Sequence, residues 1–395
     1  MKNIAILVQN LHNGGAERMA ANLSIELAKY YRVYLFVFDA SNAIYPYGGK
    51  LIDLKVPPLE EASVATRASN VIKRVRRLSY LKHKYHIDCT ISHMDGANAV
   101  NILSRRDDKI VCVYHSMPSM CEGDGFKTHA LQRFIGAGAD KYICVSKMAE
   151  ADMAENYGLD KRKLGCIYNF ADLERIAGLK KETMPAEAVE FYKRHEKILI
   201  TAGRLTHMKA QDRLIRLTAA IRKDNKNAGL VILGEGDERP LLEELARELK
   251  IEEHVCMPGE VENPFSYMKE ASVFALTSDF EGLPMVLIEA AACALPVVST
   301  DIPSGPREVL APGSDIHKLL KNEAEYAQYG VLVPSCAGEE RRGALGAGEL
   351  LLKDAVMSLM YDEAVRKRYA DISSDCAERF SADKISRQWK ELIEA

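Results

Sequence analysis

A chain of 395 residues exceeds the length at which a single hydrophobic core keeps growing, so two domains are expected. Hydrophobic residues at 47% and charged residues at 28% are ordinary for a globular protein and leave no room for long disordered tails. Net charge is only −3, but residues 1–180 carry +6 and residues 181–395 carry −9, which points the first half toward an anionic surface such as membrane or nucleic acid.

The N-terminal MKNIAILVQN is too short for a signal sequence or a membrane span and reads as a first buried strand. A helix-like stretch over 16–29, a strand over 33–38 and a long basic segment follow. Strands are then predicted over 89–92, 110–115, 142–146 and 164–169, with helical stretches between them. This is the βαβ rhythm of a parallel sheet spanning about residues 1–175. Residues 178–196 are charged, lack an apolar strand and read as a connection. A second series runs through 198–203, 230–236, 273–278 and 296–300, separated by helices such as 240–250, and predicts another Rossmann-like sheet. Glycine-rich 337–348 reads as a mobile loop. A helical tail follows, and its Trp389, the only tryptophan, is expected to be a packing anchor. The nine cysteines are scattered, Cys112 and Cys121 being the closest pair, and support neither a disulfide framework nor a C-x-x-C metal site. A reducing cytoplasm fits them.

Residues 280–300, FEGLPMVLIEAAACALPVVST, place Glu281 and Glu289 eight residues apart around Gly282, Pro284 and an apolar helical run. With Pro284 at the first helical position, Glu281 precedes the helix and Glu289 lies in its second turn. Both border a helix N-terminus whose N–H groups and dipole attract phosphate. Gly203-Arg204-Leu205, then Lys209, ends the first strand of the second series, where two cations can neutralise a diphosphate. Gly234 and Gly236 either bring backbone N–H groups to a ligand or make a plain strand-to-helix turn; arginine at the third glycine of G-x-G-x-x-G weakens a dehydrogenase reading. In the first half, Gly14-Gly15 allows close backbone approach to a ligand, and His115 ends a strand at the same kind of sheet edge. No D-x-D occurs, so a metal-bridged diphosphate is not expected. Arg67, Lys73, Arg74, Arg76, Arg77, Lys82 and Lys84 share one segment with Val71, Val75, Leu78 and Leu81 at helical spacing. That segment is either a helix lying on an anionic membrane or the solvated face of a core-packed one; no aromatic platform supports nucleic acid.

Taken in order, GRLTHMKAQDRLI, ILGEGDERPLLEELA, PGEVENPFSYMKEASVFALTSDFEGLPMVLIEAAACALPVV and TDIPSGPREVL resemble successive blocks of retaining glycosyltransferase family 4. NGGAERMAANLSIELA and VYHSMP resemble its glycine-rich loop and the place of its histidine. The resemblance implies an α/β GT-B fold, two Rossmann-like domains facing a cleft. The first, 1–180, would bind acceptor and the second, 195–375, the nucleotide sugar, with a helix over 376–395 returning to the first. It also implies that Arg204 and Lys209 hold the diphosphate, Glu289 the ribose and Glu281 the donor sugar. Val261 would contact the base, Gly282, Leu283 and Met285 would offer N–H groups, and His115 would lie beside the reacting centre. Gly15, Gly203 and Gly234 complete the expected lining. Ala210, where glycine is frequent, and Phe170 depart from the pattern. The expected activity is metal-independent, retaining transfer of a hexose or N-acetylhexosamine from a UDP-sugar to a lipid-linked or oligosaccharide acceptor at the inner face of the cell membrane. A nucleotide-sugar epimerase, or an inactive nucleotide-sugar-binding partner, is the alternative, separated by product analysis.

Overall fold

The structure, a computed structural model, describes residues 1–12, 14–57, 63–120, 126–224 and 227–395; Asn13, which opens the NGGAERM segment, and Cys121 lie outside them. The chain divides into two compact units, one of Met1–Phe170 with Ala382–Ala395, the other of Ala171–Ser381.

In the first unit, β1 (Asn3–Val8), β2 (Arg32–Val37), β3 (Lys50–Asp53), β4 (Cys89–His93), β5 (Lys109–Tyr114), β6 (Lys141–Cys144) and β7 (Leu164–Cys166) form one sheet in the order β3-β2-β1-β4-β5-β6-β7. Every pairing is parallel. Strands covered on both faces must be apolar throughout, which is why Ile4 to Val8 reads as an unbroken hydrophobic run and is fully buried. The helix Ala382–Glu394 belongs to this unit. Lys2 Nζ donates to the Ile393 carbonyl at 2.9 Å, Lys109 Nζ to that of Leu392 at 2.6 Å, and the Tyr31 hydroxyl to Glu394 at 2.8 Å. Trp389 is buried on this helix, as its anchor reading required.

The basic segment is a single helix, Val64–Lys84. Its apolar face is spent on the core: Leu78 is buried and Val75 and Leu81 pack against the same cluster as Phe36 and Phe38. Three of its cations are also taken up by the fold. Lys82 is buried against Asp108, Arg74 stacks over Phe38 at 4.3 Å and donates to the Val56 carbonyl, and Arg77 donates to the Lys55 carbonyl at 3.1 Å. Arg67, Lys73, Arg76 and Lys84 are exposed on the same helix, as are Ile72 and Tyr80.

The second unit carries β8 (Lys197–Ala202), β9 (Ala228–Leu233), β10 (Val255–Gly259), β11 (Val273–Leu276), β12 (Val297–Asp301), β13 (Glu325–Tyr326) and β14 (Val331–Pro334), in the order β10-β9-β8-β11-β12-β14-β13. Only the edge pairing of β13 with β14 is antiparallel. Two expectations are corrected here. Residues 178–196 are no bare connection: Leu173–Leu179 and Ala186–Arg194 are helices of this unit, and Ala188 and Phe191 are buried. Nor is the glycine-rich stretch unattached. The buried Arg216 donates to the carbonyls of Glu340 and Ala344 and to Glu349, and the buried Arg213 to the carbonyl of Cys336.

Candidate functional site

In open α/β sheets ligands gather beyond the carboxyl ends of the strands, where the strand order reverses. In the second unit that point lies between β8 and β11, and two of the expected site residues meet there.

Lys209 closes a short 3₁₀ turn, His207–Lys209, just after β8. The turn is tied to the end of β11: the Asp279 N–H donates to the Met208 carbonyl at 2.8 Å and the Thr277 hydroxyl to the Ala210 carbonyl at 2.9 Å. Ala210 adopts φ 49°, ψ 44°, a left-handed conformation that disfavours a side chain by about 1–2 kcal/mol. This backbone would suit a glycine, and the alanine meets it at some strain. From this turn Lys209 Nζ contacts Glu281 Oε1, and the Ser278 hydroxyl donates to the same oxygen at 2.7 Å. An ammonium and a carboxylate 72 positions apart are thereby held as one polar pair, both partly accessible.

Two arginines back this arrangement. Arg341, on the glycine-rich strap, donates to the His207 carbonyl at 3.0 Å and to Asp279 at 2.8 Å, linking the turn that carries Lys209 to the loop that carries Glu281. Arg213 reaches Asp279 from the other side at 2.6 Å. Neither arginine stood out in the sequence, because each partner is 62 or more positions away.

After Glu281 the chain turns tightly into the helix Met285–Ala292, with Pro284 at its N-cap and not at its first helical position. The Ser304 hydroxyl donates to the Gly282 carbonyl at 2.7 Å, and Gly305, at φ 91°, leaves room for Pro284, whose Cδ would lie 2.3 Å from a Cβ there. Leu283 is buried, Met285 opens the helix, and Glu289 stands half-buried one turn further on. Gly203 and Gly234 lie side by side at the ends of β8 and β9. A Cβ on Gly234 would sit 2.1 Å from the Gly203 carbonyl oxygen, and one on Gly236 2.2 Å from that of Leu205. Close loop packing therefore explains both glycines. Arg204 is exposed while its carbonyl accepts from Gln211 at 3.0 Å, and Val261 follows β10 half-exposed.

Gly15 and His115 belong to the first unit. Gly15 opens the helix Gly15–Ala28, with open space where its Cβ would be. His115 follows β5, and its Nε2 lies 2.9 Å from Nδ1 of His93, the last residue of β4; the two rings stack at 5.2 Å. Burial lowers both imidazoles, His115 to about 4 and His93 well below the usual value, with His115 adding to the effect on His93. Among the described residues no three His, Cys, Asp or Glu side chains converge as metal ligands.

Comparison with known proteins joins this geometry to a chemistry. Residues 13–175 match the model of Glycosyltransferase Family 4 and residues 186–328 that of Glycosyl transferases group 1. A sucrose-phosphate synthase from Thermosynechococcus elongatus superposes with a TM-score of 0.78 at 19% identity, covering 100% of this chain and 98% of that one. Anabaena HepE, solved in complex with UDP and glucose, gives 0.73 at 17% identity over 99% of each chain. The matched family models and the fold make this chain a glycosyltransferase of the GT-B fold. Campylobacter jejuni N-acetylgalactosamine-N,N'-diacetylbacillosaminyl-diphospho-undecaprenol 4-alpha-N-acetylgalactosaminyltransferase is 27% identical over 98% of both chains. The two family models and these relatives make the chain a family 4-like glycosyltransferase.

Proposed function

We propose that the protein transfers a hexose or N-acetylhexosamine from a UDP-sugar to a hydroxyl of a lipid-linked glycan, with retention of anomeric configuration and without a metal ion. The observation that carries this reading is the Lys209–Glu281 pair at the switch point of the second sheet, beside the N-terminus of the helix bearing Glu289. A diphosphate offers Lys209 a stronger partner than Glu281, and a freed Glu281 can accept from sugar hydroxyls. Arg204 and the N–H groups of Gly282, Leu283 and Met285 supply further donors, directed at charge that grows on the leaving phosphate as the glycosidic bond breaks. With no carboxylate assigned as nucleophile, attack comes from the face the leaving group departs, and the departing phosphate oxygen takes the acceptor's proton. The UDP of the HepE complex and the diphospho-undecaprenol substrate named for the Campylobacter relative support the choice of donor and acceptor.

Calorimetric titration of UDP, GDP and ADP without added metal tests the donor site. Selective UDP binding that disappears in Glu289→Ala is expected; folded protein that binds none of the three defeats the reading.

On this reading the enzyme works in the cytoplasm against the inner membrane face. Among the described residues no helix is long and apolar enough to cross a membrane. The exposed Lys73, Arg76 and Lys84 of the Val64–Lys84 helix are the cations for such contact, each contributing about 1 kcal/mol near an anionic surface. The protein should float with phosphatidylglycerol vesicles, and Lys73→Glu with Arg76→Glu should leave it in the pellet fraction. Equal flotation of the charge-reversed protein rejects this surface.

A further inference from the structure

The His93–His115 contact carries more than proximity. His93 is buried at the end of β4, and the residue after it, Met94, adopts φ 73°, ψ 156°, a conformation ordinarily left to glycine. Such backbone strain persists only where the surroundings over-determine it, and it gathers at functional sites. Here the surroundings are visible: His93 pairs in register with Val113, and the Met94 N–H donates to the Val113 carbonyl at 3.2 Å. The end of β4 is thereby pinned against β5 two residues before His115.

The two facing nitrogens share one proton, and the fate of a third nitrogen decides which ring supplies it. His93 Nε2 is buried and has no hydrogen-bond partner among the described residues. The carboxylate of Asp95, two residues further along the chain, accepts from the Gln132 amide at 3.4 Å. If His115 donated, the proton of neutral His93 would sit on that orphaned Nε2 as a buried N–H without an acceptor. Orphaned N–H donors are rarer in proteins than under-used acceptors. If His93 donates through Nδ1, its Nε2 is left as a bare lone pair, and neutral His115 carries its proton on Nδ1.

We propose that His93 is a positioning residue: its Nδ1–H donates to His115 Nε2 and fixes His115 as the tautomer whose Nδ1–H is offered to a ligand. His115 is then a hydrogen-bond donor to an oxygen acceptor, a sugar hydroxyl in the transfer proposed above, and not a base. The mechanistic half of this inference rests on that transferase reading; the tautomer assignment does not. Low proton affinity of both rings supports it, since the pair stays neutral at physiological pH.

Histidine-ring ¹⁵N NMR of the full-length protein tests the tautomer directly. His115 Nδ1 should resonate as a protonated, pyrrole-type nitrogen and its Nε2 as an unprotonated, pyridine-type one. The reverse assignment overturns the proposal. In steady-state assays His93→Phe, which keeps ring volume and removes the donor, should lower kcat roughly 10- to 100-fold, as when the partner orienting a functional histidine is lost, while UDP affinity stays at the wild-type value. His93→Asn, whose amide N–H replaces that of Nδ1, should recover most of the loss and keep the proposal testable if the phenylalanine variant folds poorly. Wild-type kcat in His93→Phe, or equal losses in both variants, rejects the positioning role. Failure of the wild-type protein to bind UDP would strike the transferase reading instead, and the ¹⁵N assignment would still decide the tautomer.

Discussion

Lys209→Ala should lower kcat/KM for the proposed UDP-sugar donor by about 100- to 1,000-fold, the usual loss when one preorganised donor to a developing anion is removed. The position is fixed before substrate arrives, because Thr277, Asp279 and Arg341 all bond the turn that carries it. The effect should be kinetic and not structural. Lys209 and Glu281 are both partly solvent-exposed, and such a pair stabilises a fold by only about 0–1 kcal/mol. Steady-state rates beside thermal unfolding separate the two, and a rate loss below tenfold in a folded variant removes Lys209 from the mechanism. Glu281→Gln sharpens the test, since the amide keeps the carboxylate's shape but not its charge. Full turnover in that variant would remove Glu281 as well.

The largest effect on stability belongs to Lys82, and it is a loss. Its Nζ lies 2.9 Å from Asp108 Oδ2 and 2.7 Å from the Asn101 side-chain oxygen, and both members of the ion pair are fully buried. Asp108 also accepts from the Thr90 hydroxyl at 2.5 Å and the Arg106 N–H at 3.0 Å. Lys82→Met leaves that carboxylate buried without its counter-charge, a change that destabilises by about 3–5 kcal/mol. Replacing both partners, Lys82→Met with Asp108→Leu, removes the uncompensated charge and should recover much of the loss. Urea unfolding followed by fluorescence reads this cleanly. The only tryptophan, Trp389, is buried in the same unit, so its emission reports that unit and not the other. Equal stability of Lys82→Met and the wild type would mean that the pair is unimportant to the fold.

Lys82 also shows where the sequence stops being readable. Leu78 and Leu81 at helical spacing place the helix and its buried face correctly, yet nothing local says that one of seven cations in the segment turns inward, because Asp108 is 26 positions away. The same holds for strands. Ile4 to Val8 and Lys197–Ala202 announce themselves as apolar runs, whereas Lys50–Asp53 has only two apolar residues between charged ones, is partly exposed and lies at the edge of its sheet, too short a run to stand out. Nor do Val255–Gly259, Glu325–Tyr326 and Val331–Pro334 stand out, each short or at an edge. At the site, strand-end and helix-start patterns, and then the resemblance, singled out Lys209 and Glu281, which the fold brings into contact. His93 passed unnoticed because it completes an ordinary strand pattern, and Arg341 because glycines around it suggested freedom while its bonds lie far along the chain.

The helix Ala382–Glu394 belongs to the unit formed by the first 170 residues, so the second unit is, in the order of the chain, an insertion within the first. Synthesis runs from the N-terminus, and domains fold as their residues emerge. The second unit, contiguous from Ala171 to Ser381, has everything it needs when Ser381 leaves the ribosome. The first does not: Lys2, Tyr31 and Lys109 wait for partners at Leu392, Ile393 and Glu394. The unit begun first is therefore finished last, and a ribosome stalled after Ser381 would carry a completed second unit on an open first one.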